Sequence, residues 1–354
     1  MARGRHHPAR RADRSERVMD SELTQALEAR FDRIKPGENG WAVLAEAGVL
    51  GLPFAEAHGG LALPTTTGFA VLRVLGSRAL ALSYLECVLL AGGLLDKAGG
   101  ALAEHWLPQV AEGGARLALA WLDGTEPLRA DEDADGWRLR GAKRLAIDAE
   151  RADLLIVTAE TAHGLAAFAL PPSVVSSLRA YPTIDGRRAA DLWFDGVPVD
   201  RAARLDLDAA DIAATCDLAV AAIAAEAAAI MKRLVTDTRD YCRQREQFDQ
   251  PISAFQVIQH RLVDMHIEAR RAEAAAAMAA DALDLPSPER ARAISAAKVT
   301  ISDAGRFVGQ QAVQLHGGMG MTEELIVSAL FKRLTVIEGE FGTRDEHLAR
   351  YMAA

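Results

Sequence analysis

The chain has 354 residues, 50% of them hydrophobic, 25% charged and 5% aromatic, which is apolar material for one large or two to three small domains. Its 49 acidic residues outnumber 40 lysines and arginines, for a formal net charge of -9, so the basic footprint of a nucleic-acid binder is absent. Three cysteines, Cys87, Cys216 and Cys242, are odd in number and lack metal-like spacing; no disulfide framework and no metal site are expected, and a reducing, cytoplasmic setting fits. No apolar run in the sequence reaches the roughly 18 residues that a membrane-spanning helix needs.

Residues 1–18, MARGRHHPARRADRSERV, are basic and without apolar periodicity. They are expected to be a disordered extension, with a transit peptide or a nucleic-acid arm as the alternatives. Residues 19–114 are expected to form a helical domain. Ala42, Leu44, Ala45 and Val49 precede Gly51, Gly59-Gly60 marks a loop, and a long apolar stretch from Leu72 to Leu95 is broken by polar residues at helical intervals. Over residues 115–205 the period changes to two. ARLALAWL, GWRLRG, ADLLIVTA, GLAAFALP and AADLWFDGVPV are strand-like runs separated by Gly, Asp and Pro, which predicts an antiparallel β-domain. Helical periodicity returns over residues 206–354. Phe255, Ile258, Leu262 and Met265 share one face, as do Ile294, Ala297, Ile301, Ala304 and Val308. Ser287-Pro288-Glu289 predicts a helix start with a capping hydroxyl, and Gly317-Gly318 its stop. The fold class is therefore α+β, mostly α: an N-terminal helical domain, a middle antiparallel β-domain and a C-terminal four-helix bundle.

Four segments in series resemble the acyl-CoA dehydrogenase family. They are GWAVLAEAGVLGLPFAEAHGG (40–60), YCRQREQFDQPISAFQVIQHRLVDM (241–265), QLHGGMGMTEE (314–324) and FGT (341–343). They follow the family's order and spacing from about residue 40 onward. The C-terminal FKRLTVIEGEFGTRDEHLARY is similar to small subunits of bacterial pimeloyl-CoA dehydrogenases and to subunits of steroid side-chain enzymes, many of which work as pairs of unlike chains. The resemblance implies FAD at a subunit interface and α,β-desaturation of an acyl-CoA thioester, with electrons leaving to an electron-transfer flavoprotein. A carboxylate removes the α-proton of the thioester in that reaction, and the flavin accepts the β-hydride.

Carried over by resemblance, Arg245 reaches the FAD diphosphate of a neighbouring subunit, a task a guanidinium fork suits better than an ammonium. Gln247, Phe248 and Gln256 are candidate cofactor contacts beside it. Gln314, Gly317 and Gly318 form a turn where backbone amides approach a phosphate or ribose closely. Thr343 matches a hydroxyl that touches FAD. Each has a plainer alternative: a solvated helix-end arginine, a core aromatic, a surface glutamine, a glycine helix stop. His316 reads as packing.

The departures concern the chemistry. Phe341 stands where the family carries its catalytic Glu, and Ala219 stands at the alternative base position on the first helix of the last segment. Asp217, two residues away, points about 200° around that helix. Glu226, Glu338 and Glu340 are the remaining candidates, so the catalytic base is unassigned. In the sheet, Thr125-Glu126-Pro127 is all that remains of a flavin-binding motif, while Leu145 and Ile147 replace a stacking Trp and a hydrogen-bonding Thr. These losses point to a subunit of a heteromeric acyl-CoA dehydrogenase, paired with a second, similar chain. The alternatives are a self-sufficient homo-oligomer with a repositioned base, and a flavin-free structural partner.

Overall fold

The computed structural model describes residues 14–32 and 39–354. Of the expected extension, residues 1–13 lie outside the described residues, whereas Arg14 already begins a helix, α1 (Arg14–Phe31). The chain divides into two compact units. One gathers the chain up to Ala26, Gly76–Ala79 and Val220–Ala354; the other holds Leu27–Leu75 and Leu80–Ala219.

In the second unit, α2 (Gly40–Glu46) starts where the Asn39 side chain accepts from the Trp41 N–H, and it buries Trp41 and Leu44. α3 (Gly68–Ser77) follows. The apolar stretch then forms a π-helix, Leu85–Gly92, in which every residue is buried. It runs on into α4 (Gly93–Ala98) and α5 (Gly100–Ala111). Glu86 on the π-helix is buried against Arg187, 2.9 Å away.

Seven strands make one sheet: β1 (Leu117–Ala120), β2 (Arg129–Glu132), β3 (Gly136–Ile147), β4 (Leu154–Thr161), β5 (Gly164–Leu170), β6 (Ser177–Pro182) and β7 (Arg188–Asp200). Their order is β1-β4-β2-β3-β7-β6, with β5 on β4. The sheet is mixed and not antiparallel as expected. β1 runs parallel to β4, with Leu117 opposite Leu154, and β2 meets β4 in parallel at Arg129 and Glu160. The reason is connectivity, since β2 and β3 are inserted between β1 and β4. β2 and β6 escape the periodicity because they are mostly exposed. β4 shows no alternation because its first six residues are all buried. Phe168 and Trp137 meet edge-to-face in the core, with centroids 5.5 Å apart.

The last helices are α6 (Ala209–Gln244), α7 (Gln256–Asp281), α8 (Ser287–His316), α9 (Ile326–Gly339) and α10 (Arg344–Ala353). In the first unit α8 packs against α7, α9 and α10. The predicted α8 stripe from Ile294 to Val308 is buried. α8 does begin at Ser287, but that hydroxyl makes no capping hydrogen bond; it is already the first helical residue, after Pro286. α6 is long and apolar enough to cross a membrane, yet most of its apolar window is buried in the fold, as in a core helix.

Candidate functional site

The carboxyl end of α6 leads into a tight hairpin in which β8 (Glu246–Gln247) pairs with β9 (Gln250–Pro251). Its turn residues, Phe248 and Asp249, sit at φ +55° and +60°. That is the left-handed region, and aspartate is one of the few residues other than glycine that enter it readily. Phe248 is 85% exposed and rests edge-to-face on Phe255, 6.1 Å between centroids. The Arg245 N–H donates to the Tyr241 carbonyl at 2.8 Å. The Arg245 guanidinium is exposed and has no ion-pair partner among the described residues. Gln247 is exposed and donates its amide to the Glu246 carbonyl.

The end of α8 lies beside this hairpin. Tyr241 and His316 stack with centroids 4.3 Å apart and planes 27° apart, and the Tyr241 hydroxyl donates to the His316 carbonyl at 3.3 Å. Gly317 then takes φ +61°. A Cβ built on Gly317 or Gly318 would meet nothing within 4 Å, so both glycines stand open. Gln314 is exposed. Arg261 donates to Gln311 at 3.0 Å, tying the first turns of α7, which opens with the exposed Gln256, to the last turns of α8. The structure thus brings Arg245, Gln247, Phe248, Gln256, Gln314, Gly317 and Gly318 to one end of the helical unit.

Thr343 does not join them. It is the N-cap of α10, where its side chain accepts from the Glu346 N–H and Glu346 reaches back in a full capping box. Its neighbour Arg344 is paired with Asp303, eleven residues before Gln314, which along α8 is about 16 Å.

Three of the four candidate bases, Glu226, Glu338 and Glu340, are committed elsewhere. Arg333 grips Glu226 with two bonds of 2.6 Å and Glu340 with one of 3.0 Å, all three side chains being buried. Arg306 holds Glu338. A carboxylate inside a guanidinium fork has its oxygens engaged and its charge compensated, which disqualifies it as a ready proton acceptor. Asp217 is buried, and Ala219 beside it is fully buried and apolar. Phe341 is half-buried at φ +54°, and its carbonyl is 2.9 Å from His347 Nε2. These arginine partners are invisible to motif matching. The available signal was Glu226 standing alone in an alanine-rich run of α6, where its burial demands a counter-charge.

The sheet unit presents a closed polar cluster. Leu145 sits at φ +54°, at the register shift in β3 between Lys143 and Ala146, with its side chain 37% exposed. Its N–H donates to Asp191, which also accepts from Tyr181 and Arg179. Burial alone would raise the Asp191 carboxyl, but the bonds from Tyr181, Arg179 and the Leu145 amide outweigh it and hold the group low. Ile147 is buried and offers no polar atom. Lys143 is fully spent on the Trp121 carbonyl, Asp123 and Thr158; burial lowers its pKa against the pull of Asp123. Among the described residues no group of His, Cys, Asp and Glu is placed to hold a metal.

Residues 11–114 match the model of the acyl-CoA dehydrogenase N-terminal domain and residues 212–353 that of its C-terminal domain. The acyl-CoA dehydrogenase FadE27 of Mycobacterium tuberculosis is 30% identical over 339 residues, covering 92% of this chain and 88% of the relative. The chain belongs to the acyl-CoA dehydrogenase family. Members are FAD-dependent oxidoreductases acting on CH–CH bonds. Among solved structures, the ChsE4-ChsE5 complex from Mycobacterium tuberculosis is similar with a TM-score of 0.86, 25% identity and 97% of each chain covered. The Tcur3481-Tcur3483 steroid ACAD is similar with a TM-score of 0.81 and 27% identity, covering 96% of this chain and 94% of the other.

Proposed function

We propose that this chain is one subunit of a heteromeric acyl-CoA dehydrogenase, lending the end of its helical unit to a diphosphate-bearing FAD whose redox chemistry is completed by a second, similar chain. The observation that carries the reading is the exposed Arg245, without an ion-pair partner among the described residues, beside two open glycines. An unpaired guanidinium fork, carboxamides from Gln247, Gln256 and Gln314, and bare backbone at Gly317-Gly318 form a donor set that suits a diphosphate and its sugar. FAD, when bound, supplies the hydride acceptor. This chain's residues hold the anionic linker, with Phe248 offering an aromatic edge.

The residues of the sheet do not fit the redox end of that cofactor. Leu145 and Ile147 bring no donor from their side chains, and the Leu145 amide is already bonded to Asp191. Thr343 is withdrawn into a cap. No carboxylate stands at the base position, and Glu226, Glu338 and Glu340 are held by arginines. The two paired-chain structures to which this chain is similar, ChsE4-ChsE5 and Tcur3481-Tcur3483, give the pairing its precedent. The substrate class is an acyl-CoA thioester and the electron acceptor an electron-transfer flavoprotein, both by family analogy. The free cysteines are compatible with a cytoplasmic setting.

The test is to express the chain alone and with a second acyl-CoA dehydrogenase-like chain that keeps Glu-Gly-Thr, then measure flavin per subunit and acyl-CoA-driven reduction of an acceptor. Loss of a general base costs roughly 10²- to 10⁴-fold, so the lone chain should be slower than the pair by that factor. The pair should hold about one flavin per two chains, as expected when one of two interface sites is complete. Full loading and rapid turnover by the lone chain would defeat the reading.

A further inference from the structure

We propose that Tyr241 is the positioning residue of the cofactor-facing surface, fixing Arg245 on one side and the Gly317-Gly318 turn on the other. The inference rests on the functional reading above and extends it to a residue that touches no ligand.

The turn after α8 is a short 3-10 helix, Gly317–Met321, whose first N–H donates to the Gln314 carbonyl. Gly317 occupies φ +61°, ψ -140°, a conformation that side-chain-bearing residues avoid. Neither Gly317 nor Gly318 is packed, since a Cβ on either would meet nothing within 4 Å. Gly320 lies tight against α8, where a Cβ would fall 2.8 Å from the Val313 carbonyl and 3.0 Å from the His316 Cβ. His316 therefore brackets the turn at both ends. His316 is itself immobilised: it is 5% exposed, its Nδ1 lies 2.8 Å from the Ala312 carbonyl, and its ring is stacked on Tyr241. The Tyr241 hydroxyl also donates to the His316 carbonyl, at the peptide that joins α8 to the turn. The Tyr241 carbonyl in turn accepts the Arg245 N–H at 2.8 Å, a main-chain bond that places the Tyr241 side chain one helical turn before Arg245 whatever residue stands there. One residue thus joins the root of the hairpin to the root of the glycine turn.

A positional error at such a surface is read as lost affinity for the ligand and not as lost fold. The experiment uses the full-length chain in its purified assembly, with FAD and riboflavin as probes and Tyr241→Phe, Tyr241→Leu and Arg245→Ala as variants. Tyr241→Phe keeps the stack and removes one hydrogen bond, which should weaken FAD about fivefold. Tyr241→Leu removes both contacts and should weaken it about thirtyfold. Affinity for riboflavin, which lacks the diphosphate that this surface is proposed to hold, should stay unchanged in both. A merely structural role would lower both affinities together, and that result overturns the inference. So does near wild-type FAD affinity in both tyrosine variants while Arg245→Ala loses it. If Arg245→Ala also binds FAD normally, the failure lies in the functional reading beneath.

Discussion

Arg245 and Arg333 lie in the same helical unit and illustrate opposite uses of one side chain. Arg333 is buried with both faces of its fork filled by Glu226 and Glu340. Arg245 is exposed on a strained hairpin, without an ion-pair partner among the described residues. A guanidinium whose acceptors are supplied by its own chain serves the fold; one left with its donors outward needs an acceptor from elsewhere. The same contrast runs through the glycines. A Cβ at Gly76 would lie 2.5 Å from the Glu226 Cγ, so that glycine makes room for the buried network, whereas Gly317 and Gly318 make room for nothing in this chain.

The contrast breaks most decisively at Arg333. Arg333→Leu leaves Glu226 and Glu340 buried without their counter-charge, and uncompensated buried charge costs about 3–5 kcal/mol. Chemical denaturation should show that loss in the midpoint, with an unchanged slope. Arg245→Ala, by contrast, should change the stability of the flavin-free chain by less than about 0.5 kcal/mol, as surface substitutions do. Equal losses in the two variants would refute the division between structural and site arginines.

Lys298 sharpens the same point for a lysine. Its amine is buried and donates to the Ile337 and Glu338 carbonyls at the end of α9. Burial lowers its pKa from 10.5 to about 8, against the opposing pull of Glu340. Between those two values the folded chain binds fewer protons than the unfolded one, so this group adds stability as pH rises from about 8 towards 10.5. Unfolding free energies across that window should climb more steeply for wild type than for Lys298→Met. Parallel curves would mean that the amine is not titrating inside the fold.

The smallest effect is expected at Thr343. If its hydroxyl serves α10, Thr343→Ala should cost about 1 kcal/mol of stability, the usual worth of an N-cap. Thr343→Ser should restore it, and FAD affinity should not change in either. A selective loss of FAD affinity in Thr343→Ala would return this residue to the cofactor site.

Much of this was legible because periodicity reports one-sided burial. The α8 stripe from Ile294 to Val308 and the stop at Gly317 were plain in the sequence. β2 and β6 were not, because exposed strands carry no apolar alternation, and the parallel pairing of β1 with β4 leaves no mark on either strand. At the site, motif order brought Arg245 and Gly317 into view, but pairing did not follow. Nothing in the residues around Glu226 names Arg333, 107 positions later, as its partner. His316 read as packing, which is true of its ring; the bond to its carbonyl from Tyr241 is a three-dimensional fact. Thr343 was a family hydroxyl by position, and only the geometry of Glu346 three residues on shows where that hydroxyl is engaged.

The parallel register of β1 on β4 also bears on how the sheet is assembled in time. Leu117 pairs with Leu154, so the first strand waits for a partner that emerges 37 residues later, after the β2–β3 hairpin has been made. The hairpins β2–β3 and β4–β5 close short loops and form early, whereas closing the longer loop to seat β1 is entropically slower. Until β4 is in place, LALA of β1 is an apolar edge without a neighbour, the state in which a nascent chain is most exposed to mispairing with another copy. For a protein proposed to act as one of two unlike chains, this makes the order of strand closure a determinant of whether the subunit reaches its partner folded.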